Sequence, residues 1–184
     1  MNPGEPALKI NIRSTTVEDI PQVVAIDGMS FSLPWPERSF RYELTQNPSV
    51  LSWVVEVEQA ERSRVIVAMI VTWFIVDEVH IGTIAVHPDY RRKGIAQKLL
   101  AHTLLECRAR GAVTAYLEVR RSNLAAQALY TRFGFETTSE RRHYYQDNGE
   151  DALLMGLYDL DEDRLKLLLA LDRGVALLRG GRKE

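Results

Sequence analysis

Ile84-Ala85-Val86-His87-Pro88-Asp89-Tyr90-Arg91-Arg92-Lys93-Gly94-Ile95-Ala96 reads as an apolar strand running into a basic, glycine-bearing turn that opens a helix. A turn of this composition is built to hold a phosphate group. The first backbone N–H groups of a helix have no partner inside it, and the aligned peptide dipoles place a partial positive charge there. Gly94 lets an anion approach the backbone closely, while Arg91, Arg92 and Lys93 add full charges. One helix-end interaction contributes only roughly 0.3–2 kcal/mol, so several donors must converge on one pyrophosphate. The spacing Arg91-x-x-Gly94-x-Ala96 supplies that convergence.

Two familiar nucleotide turns are excluded. A P-loop requires Lys-Ser or Lys-Thr after its last glycine, whereas Gly94 is followed by Ile95 and Ala96. A dinucleotide-binding turn requires three glycines in G-x-G-x-x-G, which are absent. An anion-binding turn of another kind remains, beside the plainer reading of a charged loop ahead of an ordinary helix.

Downstream, Ala96, Leu99, Leu100, Thr103, Leu104 and Cys107 fall at helical spacing, and Gly111 closes that helix. A strand over 115–119, a helix over about 123–133 closed by Gly134, and strands over 135–139 and 151–158 follow. Upstream, strands are expected over 8–13, 49–58, 64–76 and 78–86, with a charged turn at 59–63. A helix opened by the capping-box signal Thr15-Thr16-Val17-Glu18 runs to about Asp27, and another spans 37–46 behind Pro34-Trp35-Pro36. This order predicts an α/β fold, a mixed central sheet flanked by helices.

The chain has 184 residues, 46% of them hydrophobic, enough for one compact domain and too few for two ordinary ones. Residues 1–7, with two prolines and a glycine, read as a loose lead-in to a domain over 8–158. Residues 159–184 read as an appended amphipathic helix and tail. There Leu160, Leu167, Leu168, Leu171, Val175 and Leu178 form a stripe that predicts a helix over 161–179, packed on the same domain or against a dimer mate or partner. The oligomeric state is open.

A net charge of −2 gives no global attraction for nucleic acid; Arg91-Arg92-Lys93, Arg120-Arg121 and Arg141-Arg142 are read as cofactor and surface charges. Cys107, the single cysteine, excludes an intrachain disulfide and sits on an apolar helix face, and the four histidines lack ligand spacing, so no metal is expected. With no basic-then-apolar opening and no apolar run near roughly 18 residues, a soluble cytoplasmic protein without membrane contact is expected.

The turn resembles the acyl-CoA-binding motif of the GCN5-related N-acetyltransferase (GNAT) superfamily, arginine or glutamine-x-x-Gly-x-Gly or Ala, with Ala96 in the last small position. Three further stretches are similar to the bacterial ribosomal-protein-alanine N-acetyltransferases (RimI type). They are Phe31-Ser32-Leu33-Pro34-Trp35, Leu117 through Tyr130 to Gly134-Phe135, and Arg141-Arg142-His143-Tyr144-Tyr145 running to Glu150-Asp151-Ala152. The similarity covers about 10–158. It implies a GNAT-type acyl-CoA N-acyltransferase fold, acetyl-CoA as co-substrate, and a ribosomal protein or other protein N-terminus as acceptor. It further implies that Ile84, Ala85 and Val86, the stretch Arg92, Lys93, Gly94, Ile95, Ala96 and Gln97, and Asn123 contact acetyl-CoA, with Arg91 opening the motif. By the same resemblance Glu118 is the base, Tyr130 the general acid at sulfur, and Phe31, Pro34, Trp35, Arg141, Tyr144 and Tyr145 flank a peptide channel, with Glu150 or Asp151 available to the ammonium.

The residues themselves suit this chemistry. Acetyl transfer from a thioester to an amine needs a neutral amine, a stabilised oxyanion and a proton for the departing thiolate. Glu118 lies in the apolar strand Ala115-Tyr116-Leu117-Glu118-Val119, where a carboxylate is expected to lose part of its hydration, a setting that suits a general base. Plainer alternatives are an exposed glutamate or the partner of a nearby arginine. Asn123 and Tyr130 are seven residues apart, two helical turns, and so share a face. Tyr130 is one position off the expected core stripe Ala125, Leu129, Phe133. Main-chain N–H groups around Ile84, Ala85 and Val86 are placed to meet the thioester carbonyl and to pair with the pantetheine amides as an added strand would. An α-amine at a pKa of about 7.8 and a lysine at about 10.4 differ roughly 400-fold in neutral fraction at pH 7, so one modest base is better matched to an N-terminus. A lysine, polyamine or other small amine as acceptor, and a non-catalytic acyl-CoA-binding module, are the other readings; the presence of both Glu118 and Tyr130 argues against the last.

Overall fold

The computed structural model describes residues 8–58, 64–171 and 175–177. The expected lead-in at 1–7 and the charged turn at 59–63 lie outside them. Strands β1 (Leu8–Ser14), β2 (Val50–Glu58), β3 (Arg64–Ile75), β4 (Glu78–Val86), β5 (Thr114–Arg120), β6 (Glu136–Tyr145), β7 (Glu150–Leu157) and β8 (Val175–Leu177) form one sheet in the order β6-β7-β5-β4-β3-β2-β1-β8. The β4–β5 and β1–β8 pairs are parallel and the rest antiparallel, the mixed sheet expected from the order of elements.

Helices α1 (Ile20–Gly28) and α2 (Glu37–Gln46) cover one face, where Ile20, Val23, Ile26 and Phe40 bury against Val54, Ile66, Met69 and Val71. Asp19, not Glu18, closes the turn before α1: it accepts the Thr16 N–H at 2.8 Å while the Arg13 guanidinium holds both its oxygens at 2.6 and 2.7 Å. That pair draws the Asp19 carboxyl below its ordinary pKa. On the other face lie α3 (Ile95–Ala109), α4 (Leu124–Phe133) and α5 (Glu162–Ala170). Leu99, Leu100, Leu104 and Cys107 of α3 are fully buried, as their spacing predicts. Among the described residues no helix is long and apolar enough to cross a membrane.

The C-terminal segment departs from the single helix expected over 161–179. Helix α5 is capped by Asp161, whose side chain accepts the Arg164 N–H at 2.8 Å, and stops at Ala170. Two α3 side chains take its last carbonyls: Gln97 Nε2 donates to Leu168 O at 2.8 Å and Lys98 Nζ to Leu169 O at 2.9 Å. Leu165 and Leu168 are buried, whereas Leu167 of the expected stripe is 62% exposed. Residues 175–177 then pair with β1 as a strand, Leu8 opposite Val175 and Ile10 opposite Leu177. The cause is non-local, since the outer edge of β1 offers backbone partners. Leu178 and Arg179 lie outside the described residues.

One departure from regular pairing makes the site. Strands β4 and β5 pair only from Glu78 opposite Thr114 to Ile81 opposite Leu117. Beyond that point β4 stays with β3 and β5 stays with β7, so the sheet splits. A bulge at Gly82 marks the split: Ile81 faces Thr72 and Thr83 faces Val71, leaving Gly82 unmatched. Glycine is required because a Cβ there would stand 2.6 Å from Cη2 of the Trp73 indole.

Candidate active site

The split opens a cavity of about 770 Å³ whose walls carry Ile84, Ala85 and Val86 from β4, Glu118 from β5, and Asn123 and Tyr130 from the start and interior of α4. Past Ile81 the backbone groups of β4 on the β5 side have no strand partner among the described residues, an open edge to which an extended amide-bearing chain can add. The corner beside it is the basic turn. Gly94 is left-handed at φ 84°, and the first bond inside α3 runs from Lys98 N–H to Gly94 O. The N–H groups of Ile95, Ala96 and Gln97 therefore lack helical partners, and no side chain caps them. Gly94, Ile95, Ala96 and Gln97 all reach the cavity. An open strand edge leading to an uncapped helix start fits a long thiol ester ending in a pyrophosphate.

The charges of the turn divide. Arg92, left-handed at φ 66° and exposed, reaches the cavity. Arg91 also lines it, but its guanidinium is a tether: Nε donates to Val86 O at 2.9 Å and Nη2 to Ser30 Oγ at 3.1 Å. Lys93 is not in the wall; its ammonium lies 5.3 Å from the centre of the Tyr90 ring. The Gln97 side chain is committed to Leu168 O and to the Arg132 guanidinium at 2.9 Å, which leaves its backbone N–H for an anion. Asn123 caps α4, its Oδ1 accepting the Ala126 N–H at 3.1 Å.

Glu118 is less desolvated than its apolar strand suggests. Its side chain is 31% exposed; Oε1 accepts Arg141 Nη1 at 2.5 Å and Oε2 accepts the Tyr144 hydroxyl at 2.5 Å. Strand alternation explains the difference, because Ala115, Leu117 and Val119 take the buried face and leave Glu118 on the other. The arginine partner weighed in the sequence is present; the Tyr144 hydroxyl's own hydrogen bond to Glu118 pushes its phenol pKa up.

Tyr130 is 5% exposed, its ring centre 5.8 Å from that of Phe135. Burial pushes its phenol pKa up, so it stays a neutral hydroxyl donor throughout the working range. The core stripe expected at Ala125, Leu129 and Phe133 is rotated. Ala125 is exposed and lines the cavity, while Tyr130 joins Phe133 in the core and still reaches the cavity.

The segments expected to flank a peptide channel are the α1–α2 connection and the β6–β7 hairpin. Phe31, Trp35 and Tyr145 line the cavity, whereas Pro34, Arg141 and Tyr144 do not. Neither Glu150 nor Asp151 lines the cavity; Glu150 accepts the Ser122 N–H at 2.6 Å and Asp151 the His143 N–H at 2.9 Å. The Ser122 contact helps bring the Glu150 carboxyl down to about 2. Sequence reading missed a cluster across the mouth, in which the Arg120 guanidinium lies 3.8 Å over the Tyr145 ring and bonds Asp147 at 2.9 Å and Ser32 at 3.2 Å. The doublet Arg120-Arg121 was its only signal. Burial pushes the Tyr145 phenol up to about 12.

Residues 20–135, more than half of the chain, match the acetyltransferase (GNAT) family. The chain belongs to that family. An Escherichia coli relative, [ribosomal protein bS18]-alanine N-acetyltransferase, is 36% identical over 157 residues, covering 79% of this chain and 95% of that protein. The crystal structure of the ribosomal-protein-S18-alanine N-acetyltransferase from Escherichia coli superposes with a TM-score of 0.71 at 36% identity, over 80% of this chain and 92% of that one. Arabidopsis thaliana NAA60 in complex with acetyl-CoA shares the GNAT fold, with a TM-score of 0.72 at 17% identity over 81% and 98% of the two chains.

Proposed function

We propose that this GNAT enzyme uses acetyl-CoA to acetylate a protein N-terminal α-amine, that of a ribosomal protein beginning with alanine, in the cytoplasm. The observation that carries the reading is the 36% identity, across four fifths of the chain, to an enzyme named for that reaction, joined to a cleft walled by Glu118 and Tyr130. Residues 8–158 are taken as the catalytic domain and 159–184 as an appended segment.

When bound, acetyl-CoA supplies the activated acetyl group as a thioester. The amides of Ile95, Ala96 and Gln97, with Arg92, hold its pyrophosphate, and the open edge of β4 pairs with its amide-bearing arm. Glu118 takes a proton from the incoming α-ammonium, leaving a neutral amine to attack. N–H groups near the end of β4 stabilise the negative charge that develops on the carbonyl oxygen. As the C–N bond forms and the C–S bond breaks, the electron pair would leave with the sulfur and the nitrogen would release its second proton, which ends on the thiol. The Tyr130 hydroxyl would donate a hydrogen bond to that sulfur, full transfer of its own proton being uphill by roughly 2 kcal/mol at ordinary pKa values of about 10 and 8.5, and more so for a buried phenol.

The test is incubation with acetyl-CoA and peptides differing only in their first residue, read by mass spectrometry. Acetylation at the α-amine of alanine-starting peptides is expected. Modification confined to internal lysines or to small amines refutes the acceptor, and cofactor binding without any turnover refutes the enzyme.

A further inference from the structure

The two groups that grip Glu118 come from one strand that a regular sheet would not allow to supply both. Residues three apart on a strand point to opposite faces, yet Arg141 and Tyr144 reach the two oxygens of one carboxylate. The pairing of β6 with β7 explains how. Arg141 stands opposite Ala152 and Tyr145 opposite Glu150, so residues 142–144 share the space facing Asp151 alone. The surplus is taken up at His143, left-handed at φ 51°, a conformation unfavourable for an L-residue. Two bonds hold it there: Asp151 Oδ1 accepts the His143 N–H at 2.9 Å, and His143 Nδ1 lies 3.1 Å from Gly149 O. The bulge turns Tyr144 to the side that Arg141 already occupies.

We propose that Arg141 and Tyr144 are positioning residues of the acetyl transfer, fixing the orientation of the Glu118 carboxylate in the cleft wall, with the Asp151-held bulge setting their reach. The proposal rests on the reading of Glu118 as the base. A carboxylate that accepts one bond at each oxygen keeps further lone pairs for the substrate. The proton lost by the α-ammonium passes to that carboxylate, and the electron pair it leaves becomes the nucleophile; Arg141 and Tyr144 neither gain nor lose a proton.

A double-mutant cycle on the full chain separates this from a direct hold on the peptide. With an alanine-starting peptide, Tyr144→Phe and Arg141→Ala are expected to lower kcat/KM roughly 10- to 100-fold while acetyl-CoA affinity stays unchanged. Arg141→Lys should restore part of the loss. Asp151→Ala, which frees the bulge and touches neither oxygen of Glu118, should act in the same direction. In a Glu118→Gln background each of these substitutions should change the residual rate less than twofold. Equal factors in both backgrounds overturn the proposal and leave Glu118 as the base. A Glu118→Gln enzyme with full turnover overturns the base itself, and the positioning role with it.

Discussion

Replacing Gly82 by alanine probes the split that creates the cleft. The added Cβ would meet the Trp73 indole at 2.6, 2.9 and 3.3 Å, distances at which the ring or the strand must move. The ring is held on two sides, because its Nε1 donates to Glu43 Oε2 at 2.8 Å and it stacks on Trp35 with ring centres 6.0 Å apart. Forcing one methyl into such a site costs roughly 1–3 kcal/mol. For a chain of this length each kcal/mol lowers Tm by roughly 2–4 °C, so Gly82→Ala should melt about 2–12 °C below the parent. Thermal denaturation of Gly82→Ala, Trp73→Phe and the double variant measures the coupling. Phenylalanine lacks the outer indole atoms that the methyl strikes, so the Gly82→Ala penalty should shrink by about 1 kcal/mol in that background. Because Gly82 lines the cavity, turnover should fall alongside stability. A Gly82→Ala protein that melts with the parent, or an identical penalty in both backgrounds, refutes the claim that indole contact fixes the bulge.

Tyr130→Phe removes the buried hydroxyl without changing ring packing, and kcat should fall roughly 10²- to 10⁴-fold with acetyl-CoA affinity retained; calorimetry and steady-state kinetics check it. Asp27 is fully buried, and burial holds its carboxyl above the ordinary value despite the Trp35 N–H at 2.7 Å. A raised folded value means that stability declines as pH rises from about 4 through that value, so the stability of Asp27→Asn relative to the parent should increase with pH; a constant difference across urea titrations at several pH values would falsify the burial argument. Cys107 is fully buried with its thiol pushed up to about 12, so a thiol reagent should label it only with denaturant present, as read by intact mass.

Elements built from local periodicity were legible in the sequence. The α3 stripe through Leu99, Leu100, Leu104 and Cys107 and the apolar runs of β3 and β4 each carry their own signal, and the strand-to-helix turn at Gly94 is one continuous motif. What was not legible depends on chain segments that meet from afar. Leucines 160–178 satisfy helical spacing, yet residues 175–177 find the edge of β1, which no local pattern announces. Arg91 reads as a phosphate ligand until Ser30, 61 residues earlier, proves to be its partner. Glu118 reads as a desolvated base until Arg141 and Tyr144, 23 and 26 residues later, arrive through a bulge that reverses strand parity. Periodicity assigns residues to faces only while the register is regular.

Two irregularities of register, one in β4 and one in β6, act on the two walls of the cleft, and together they explain why the chemistry gathers there. On one side the bulge at Gly82 lets β4 leave β5 and exposes backbone donors. On the other, the bulge at His143 brings Arg141 and Tyr144 onto Glu118 of β5. A continuous sheet would have paired those donors and scattered those side chains. The halves are held together below the cleft by four parallel residue pairs, 78–81 with 114–117. Above it they are held by Arg120, which ties β5 and the β6–β7 hairpin to Ser32 of the α1–α2 connection. The upper tie is made of exposed side-chain hydrogen bonds, so solvent screens it and a bound peptide can rearrange it. Cleft width is thus set by backbone beside β4 and by side chains at the mouth, the division that the proposed reaction calls for, with a constant co-substrate and a polypeptide acceptor.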